Sequence, residues 1–449
     1  MKSPAVTRPL CEFIERTTWA DIPSAVRHEA KRALVNYFAV ALAGCNDPDV
    51  SKAARLFQRF NAGGSAHIIG RPSATDMLNA ASLNAMSANV FDFDDTHIPT
   101  IIHPTAPVAA ALFALAETQS LSGQQLLLAF ILGVEVECRL GMAISPQHYQ
   151  RGWHITSTCG VFGAAAAIGK ALQLDAEHLQ WSMGNASAQS GGLVETLGSA
   201  SKSLGVGNAA RNGLLSALLA QDGFSGPRYP LEGERGFLNV MGENPDLSEI
   251  TEGLGERWAL NANTYKPYPC GVVLNPVIEA SLELARDRRW QLEDITRIEV
   301  TGHPLLRQRT DRLNIQSGRE SQVSAQHAVA VALSTGKAGL AEFSDGAAAD
   351  TRLRSLYPLL HFIDDAGHAV ESAQVRLLFK SSETLVRTID ASLGSLSAPL
   401  SDHFLENKLR ELAQFGGSGC VPQPLIEALW SLESAADASS VMHLALANT

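Results

Sequence analysis

Positive charge is in short supply in this chain. Its 35 Lys and Arg residues stand against 46 Asp and Glu, a formal net charge of −11. That balance argues against nucleic acid or an anionic membrane as a partner, since both normally require a basic surface. An anionic ligand would also meet a repulsive field, so a site for one must concentrate its cations locally. Cysteine is thin as well. The six, Cys11, Cys45, Cys138, Cys159, Cys270 and Cys420, form no C-x-x-C pair and no Cys/His cluster with zinc-ligand spacing. Scattered thiols of this kind fit a reducing compartment, most of them buried as small apolar groups. A membrane-length apolar run is missing too. The longest uncharged stretch, THIPTIIHPTAPVAAALFALA, carries histidines and prolines, and LLLAFILGVEVECRLG is interrupted by Glu135, Glu137 and Arg139. The opening MKSPAVTRPLCEFIERTT lacks the apolar core of a signal peptide. The expectation is a soluble, cytoplasmic protein.

Several catalytic signatures are absent. There is no G-x-S-x-G nucleophile elbow and no G-x-x-x-x-G-K-[ST] phosphate loop. GVGNAA partly matches a dinucleotide fingerprint, but no strand-like run precedes it and no acidic residue is suitably placed. Cys159 and Cys270 lie in no recognisable thiol-enzyme motif.

What is present is an ordinary globular composition, 45% apolar and 18% charged, over 449 residues. That length suggests two or three domains. Helical signals dominate as far as residue 262. Asp21 and Pro23 open DIPSAVRHEAKRALVNYFAVALAG like an N-cap followed by first-turn proline, and Gly44 closes it. Further helices are predicted at 74–90, 106–119, 123–143, 157–172, 176–188 and 206–221. They are rich in alanine, which favours helix and permits close packing. From 263 to 394 the texture changes. The runs TRIEVTGH, AQVRLLFK and ETLVRTID alternate apolar and polar residues, as strands with one wet face do, between helices such as NPVIEASLELARD and QVSAQHAVAVALSTG. This segment is expected to be α+β. After the Gly/Ser/Pro-rich GSLSAPLSDH, residues 395–449 carry two more helices that would return to the first domain.

Four segments hold polar residues that packing alone does not explain. NVFDFDDTHIPTIIHPTAPV gathers Asp92, Asp94, Asp95, His97 and His103 at the end of an apolar helix, able to ligate a metal or to move a proton. It equally suits a capped, solvated loop. In HYQRGWHITSTCGVFGAAAAIG, His154 precedes a helix start carrying Thr156, Ser157 and Thr158, whose free N–H groups suit an anion or simple capping. GSASKSLGVGNAARNG places Lys202 before a helix starting near Val206, and NTYKPYPCGVVLNP places Lys266 among prolines at the expected domain junction. Either lysine alone could be incidental.

Taken in order, these segments resemble the MmgE/PrpD family, which includes 2-methylcitrate dehydratase, cis-aconitate decarboxylase and iminodisuccinate epimerase. FDFDDTH…HPTAPV, GVEVECRLG, GWHITSTCGVFGAAAA, SKSLGVGNAARNG and KPYPCG carry the resemblance across nearly the whole chain. It implies a large helical domain built from both chain ends, a smaller inserted α+β domain, a homodimer and an active site in the cleft between the domains. It also implies chemistry without cofactor or metal. Asp92 matches the family's active-site aspartate, His103 the histidine of H-P-[ST], His154 that of Gly-Trp-His, and Lys202 and Lys266 its two lysines. Tyr149 resembles a tyrosine of the epimerase-type members. One more residue separates FDFDDT from HP than in the decarboxylase members. Where those members have a tyrosine, VSAQHAVAV offers His327.

The family's shared chemistry removes a proton from carbon beside a carboxylate. His154 or His103 is then the expected base or acid, and Asp92 the carboxylate that orients it. Lys202 and Lys266, with Thr156, Ser157 and His327, are the groups expected to bind a small polycarboxylate. Lyase is placed first and epimerase second. A non-catalytic polycarboxylate-binding protein and a metallohydrolase built on the Asp/His cluster remain the rivals.

Overall fold

The computed structural model describes residues 5–61, 63–286 and 290–447. Within them the chain divides into two compact units. One comprises residues up to Val90, Asp94–Asn263 and those from Ser401 onward. The other comprises Phe91–Phe93 and Thr264–Leu400. The FDFDD run is thus divided between the units.

The first unit is helical. Its elements are α1 (Thr7–Arg16), α2 (Ser24–Gly44), α3 (Pro48–Gln58), α4 (Met77–Asn89), α5 (Thr105–Ala116), α6 (Gly123–Ile144), α7 (Gln147–Gln150), α8 (Ile155–Ala171), α9 (Ala176–Ser187) and α10 (Ala200–Gln221). Asp21 does not cap α2. It closes a capping box with Thr18 around the turn Trp19–Asp21, and Pro23 is the residue that leads into Ser24.

Helix α8 is buried along almost its whole length, packed against α6 and α10. Glycine and alanine allow this. A Cβ on Gly213 of α10 would stand 2.4 Å from Ala164 Cβ of α8, and one on Gly133 of α6 would stand 2.7 Å from the Gly163 carbonyl. Backbones this close leave no room for larger side chains. Helix α10 starts at Ala200, six residues before the expected start, because Ser199 and Gly198 end the preceding turn and the Ser/Lys/Gly run is itself helical. Helix Asp402–Gly416 packs on α2, and Pro422–Trp430 packs beside both.

The second unit holds a four-stranded mixed sheet in the order Leu360–Asp364, Ile295–Gly302, Ala373–Phe379, Thr384–Ile389. The first pair is parallel and the other two are antiparallel. Helix Asn275–Arg286 covers the last two strands and packs on helix Ala325–Thr335. Strand Leu360–Asp364 was not anticipated. Only its first residue is buried, so it shows no apolar alternation. Among the described residues no helix is long and apolar enough to cross a membrane.

Candidate functional site

The loop after α4 is held from below. Asn89, the last residue of α4, donates its amide N–H to Asp94 Oδ2 at 2.6 Å. Asp94 Oδ1 lies 3.5 Å from His103 Nδ1, within ion-pair range. His103 Nδ1 is closer still, 2.7 Å, to the backbone carbonyl of Asp95. A carbonyl only accepts, so Nδ1 carries the proton and neutral His103 keeps its basic lone pair on Nε2. The His103 backbone N–H donates to Thr156 Oγ1 at 3.1 Å, which ties this loop to the start of α8.

Asp95 is fully buried and accepts two bonds on Oδ2, from Thr105 Oγ1 at 2.5 Å and Asn263 Nδ2 at 2.7 Å. Burial pushes its pKa up to about 7, helped by the neighbouring charge of Asp94 and opposed by those two bonds. His97 is a different case. Buried, with Nδ1 bonded to Thr100 Oγ1 at 2.8 Å, it is pushed down to about 4 and stays neutral as part of a turn.

His154 is buried at the start of α8. It is itself the N-cap position of α8, 4% exposed, and its carbonyl accepts from the N–H groups of Ser157 and Thr158. Its Nδ1 lies 2.7 Å from Ser157 Oγ. Gly192 and Gly205 crowd Ser157: a Cβ on Gly192 would stand 2.6 Å from Ser157 Cβ, and one on Gly205 would stand 2.6 Å from Ser157 Oγ. Gly205 lies one turn beyond Lys202 on α10, so the first turns of α8 and α10 meet here. Lys202 is buried in that first turn of α10 rather than preceding it. Tyr149 sits half-buried on the single turn α7. Its neighbour His148 is buried between the Met241 carbonyl and Thr158 Oγ1, and burial lowers its pKa.

In the second unit Asp92 adopts a left-handed backbone, φ 51°. Lys266, 3% exposed, donates to the Asp92 carbonyl at 2.8 Å and pairs with its carboxylate at 3.1 Å. Gln322 holds the same segment, donating to the carbonyls of Phe91 at 2.5 Å and Pro269 at 2.9 Å. His327 is fully buried, with Nδ1 2.8 Å from Tyr357 Oη and Nε2 2.8 Å from the Glu342 carbonyl. The substrate-binding role expected for His327 would therefore require breaking an internal bond. Burial lowers its pKa as well.

His103, His154, Thr156, Ser157 and Lys202 thus gather around two adjoining helix starts, and Asp92 pairs with Lys266. Asp94 and the Asp95 carbonyl both contact His103 Nδ1. Asn89 and Asn263, which bond Asp94 and Asp95, were passed over as site residues. The repeated acids of FDFDD were the available signal. All six cysteines are buried and free, and burial holds their thiols protonated, which argues against a thiol nucleophile.

Residues 8–250 match the MmgE/PrpD N-terminal domain and residues 268–430 the MmgE/PrpD C-terminal domain. A cis-aconitate decarboxylase-like protein of Aspergillus oryzae is 29% identical, covering 98% of this chain and 97% of its own length. Cis-aconitate decarboxylase of Aspergillus terreus is 27% identical over 91% of this chain and 89% of its own, and that of Homo sapiens 25% identical over 97% and 93%. The two domain matches follow one another along the helical and mixed segments, and the chain belongs to the MmgE/PrpD family.

Proposed function

We propose that this protein is a lyase that acts on a small di- or tricarboxylic acid by proton transfer beside a carboxylate, with cis-aconitate as the first candidate substrate. The observation that carries this is the pair of histidines tied to consecutive residues of one helix start: His103 by its backbone N–H to Thr156, and His154 by its ring Nδ1 to Ser157. Imidazole is the side chain suited to accept and return a proton near neutrality. A proton beside a carboxylate is weakly acidic, so the anion that forms needs preorganised positive charge.

Lys202 in the first turn of α10 and Lys266 held by Asp92 supply that charge, and the first turn of α8 adds N–H dipoles. His103 acts through Nε2, since Asp95 holds Nδ1–H. His154 serves as its counterpart in returning the proton, and Tyr149 adds a hydroxyl donor. The curated relatives that carry the name cis-aconitate decarboxylase support a carbon–carbon lyase over a dehydratase. The active form is a homodimer and needs neither metal nor cofactor.

Proton NMR in deuterated buffer containing EDTA, with cis-aconitate, 2-methylcitrate and iminodisuccinate offered separately, tests this. Loss of carbon dioxide or a new olefinic product supports a lyase. Deuterium entering recovered substrate without net loss points to an epimerase instead. Activity that disappears in EDTA and returns with a divalent ion overturns the metal-free chemistry. Unchanged spectra for all three acids overturn the substrate class.

A further inference from the structure

One buried acid of α6 has no role in the chemistry proposed above. Glu137 of α6 is fully buried, and neither oxygen of its carboxyl meets a hydrogen-bond donor among the described residues. Asp95 is buried equally, and its Oδ1 also meets none, although Oδ2 is bonded twice. Glu137 fills a slot left by two glycines of α8. Its Oε2 lies 2.8 Å from where a Cβ on Gly163 would stand and 3.3 Å from one on Gly160. Pro107 borders that same Gly160 position at 2.9 Å. Pro107 belongs to the first turn of α5, which Thr105 opens, and Thr105 is the hydroxyl donor to Asp95.

No cation bonds either carboxyl among the described residues. Arg139, two residues along α6, is committed to Glu135 and to four backbone carbonyls. Among the described residues, the ionisable groups around these two acids include Asp94, which adds negative charge beside Asp95, His103 on the Asp95 carbonyl, and the thiols of Cys138 and Cys159, which burial keeps protonated. Two carboxylates removed from water without a cation cannot both stay ionised. Hydrogen bonds to Oδ2 favour the charged form of Asp95, while Glu137 receives none, and the charge of Asp95 adds to burial in holding the Glu137 proton.

We propose that Glu137 is a positioning residue for His103: protonated, it donates to Oδ1 of Asp95 and completes the bonds that keep the Asp95 carbonyl under His103 Nδ1. Asp95 is then anchored through both carboxyl oxygens, by Glu137 on one and by Thr105 and Asn263 on the other. The carbonyl that selects the His103 tautomer is anchored with it. This inference rests on His103 being a proton-transfer group.

Two measurements on the intact protein test it. The first is infrared spectroscopy in mildly alkaline buffer, which separates the carbonyl stretch of a protonated carboxylic acid from carboxylate bands. The wild type is expected to show the acid band, and Glu137→Gln to lose it. The second is the rate–pH profile with nitrogen NMR of the His103 ring. Glu137→Leu removes the donor, so kcat should fall by about tenfold or more with KM little changed, and the ring should lose its single tautomer. Glu137→Gln restores a donor that cannot ionise. It should recover most of kcat and extend activity to higher pH than the wild type, an effect that a purely structural glutamate would not produce. An acid band that persists in Glu137→Gln, or an alkaline limb that does not move, overturns the proposal. If none of the three acids is turned over, the infrared band and ring tautomer still decide the Glu137 proton independently of the functional reading. If Glu137→Leu does not fold, Glu137→Gln alone carries both readouts.

Discussion

A histidine that gives its Nδ1 proton to a carbonyl presents a defined base, and His103 meets that condition with the Asp95 carbonyl at 2.7 Å. His154 is fixed through Ser157 instead. Replacing either with Gln preserves size and polarity but removes the titrating group. The expected loss in kcat is about a hundred- to ten-thousand-fold, with circular dichroism and thermal midpoint unchanged. A protein that only binds polycarboxylate would lose some affinity and nothing else. Lys266→Met should lower kcat as well as raise KM, since it removes a cation proposed both to engage a substrate carboxylate and to stabilise the anion that forms. Titration at neighbouring positions pulls stability in opposite directions. His97, lowered to about 4, contributes stability that is present above its unfolded pKa near 6.5 and lost as pH falls through about 4, on the order of 3 kcal/mol. Asp95, raised to about 7, contributes stability that is full below its unfolded pKa near 4 and lost as pH rises through about 7. Urea unfolding across this window should therefore show His97→Gln flattening the acid side and Asp95→Asn flattening the neutral side. Identical slopes in variants and wild type would refute both assignments. The histidines, lysines and acids of this site were legible in the sequence as residue types in unusual company. Which acid serves which partner was not, because Asp92, Asp94 and Asp95 differ only in where the folded loop turns them.

Among the elements, α6 shows how a charge inside an apolar helix is tolerated. Arg139 is fully buried, bonded to Glu135 one turn earlier and to the carbonyls of Glu249, Glu252, Gly253 and Arg257. Glu135 also accepts from the Ala259 N–H at 2.7 Å. Burial raises the Glu135 pKa and Arg139 opposes that shift. Arg139→Leu would leave a buried carboxylate and a turn of unpaired carbonyls, a cost of about 3–5 kcal/mol by equilibrium unfolding. Adding Glu135→Gln to that variant should recover part of the loss, and full additivity would show that the two side chains do not act together. The α8–α10 crossing makes a second demand. Gly213→Leu has no space to enter and should cost about 1–3 kcal/mol or misplace the start of α10 that carries Lys202. Helix positions were largely readable from alanine-rich periodicity, and α6 and α9 begin at the expected residues. Termini were less so. Ala74 and Thr75 form a short strand before Asp76 caps α4, because that backbone pairs with Ala66 and His67.

For the whole molecule, the testable statement is assembly. The first unit exposes Leu193, Leu197, Leu204, Phe224 and Val240, and a homodimer would cover apolar surface of this kind. Sedimentation at micromolar concentration should give twice the mass of one chain, and a monomer mass at all concentrations would refute the dimer. The sequence by itself determined the helical character of residues up to 262, the mixed character of the segment after it, and the family, because periodicity and ordered motifs are local properties of the chain. It also singled out His103, His154, Lys202 and Lys266 by type as candidates. Tertiary structure alone decided that Phe91–Phe93 pack with the second unit while Asp94 and Asp95 stay with the first. It alone decided that His103 takes its tautomer from a backbone carbonyl, and that Glu137 lies buried in a slot formed by two glycines of another helix. Those outcomes depend on burial and on hydrogen-bond partners distant in the chain, and neither is encoded in local residue spacing.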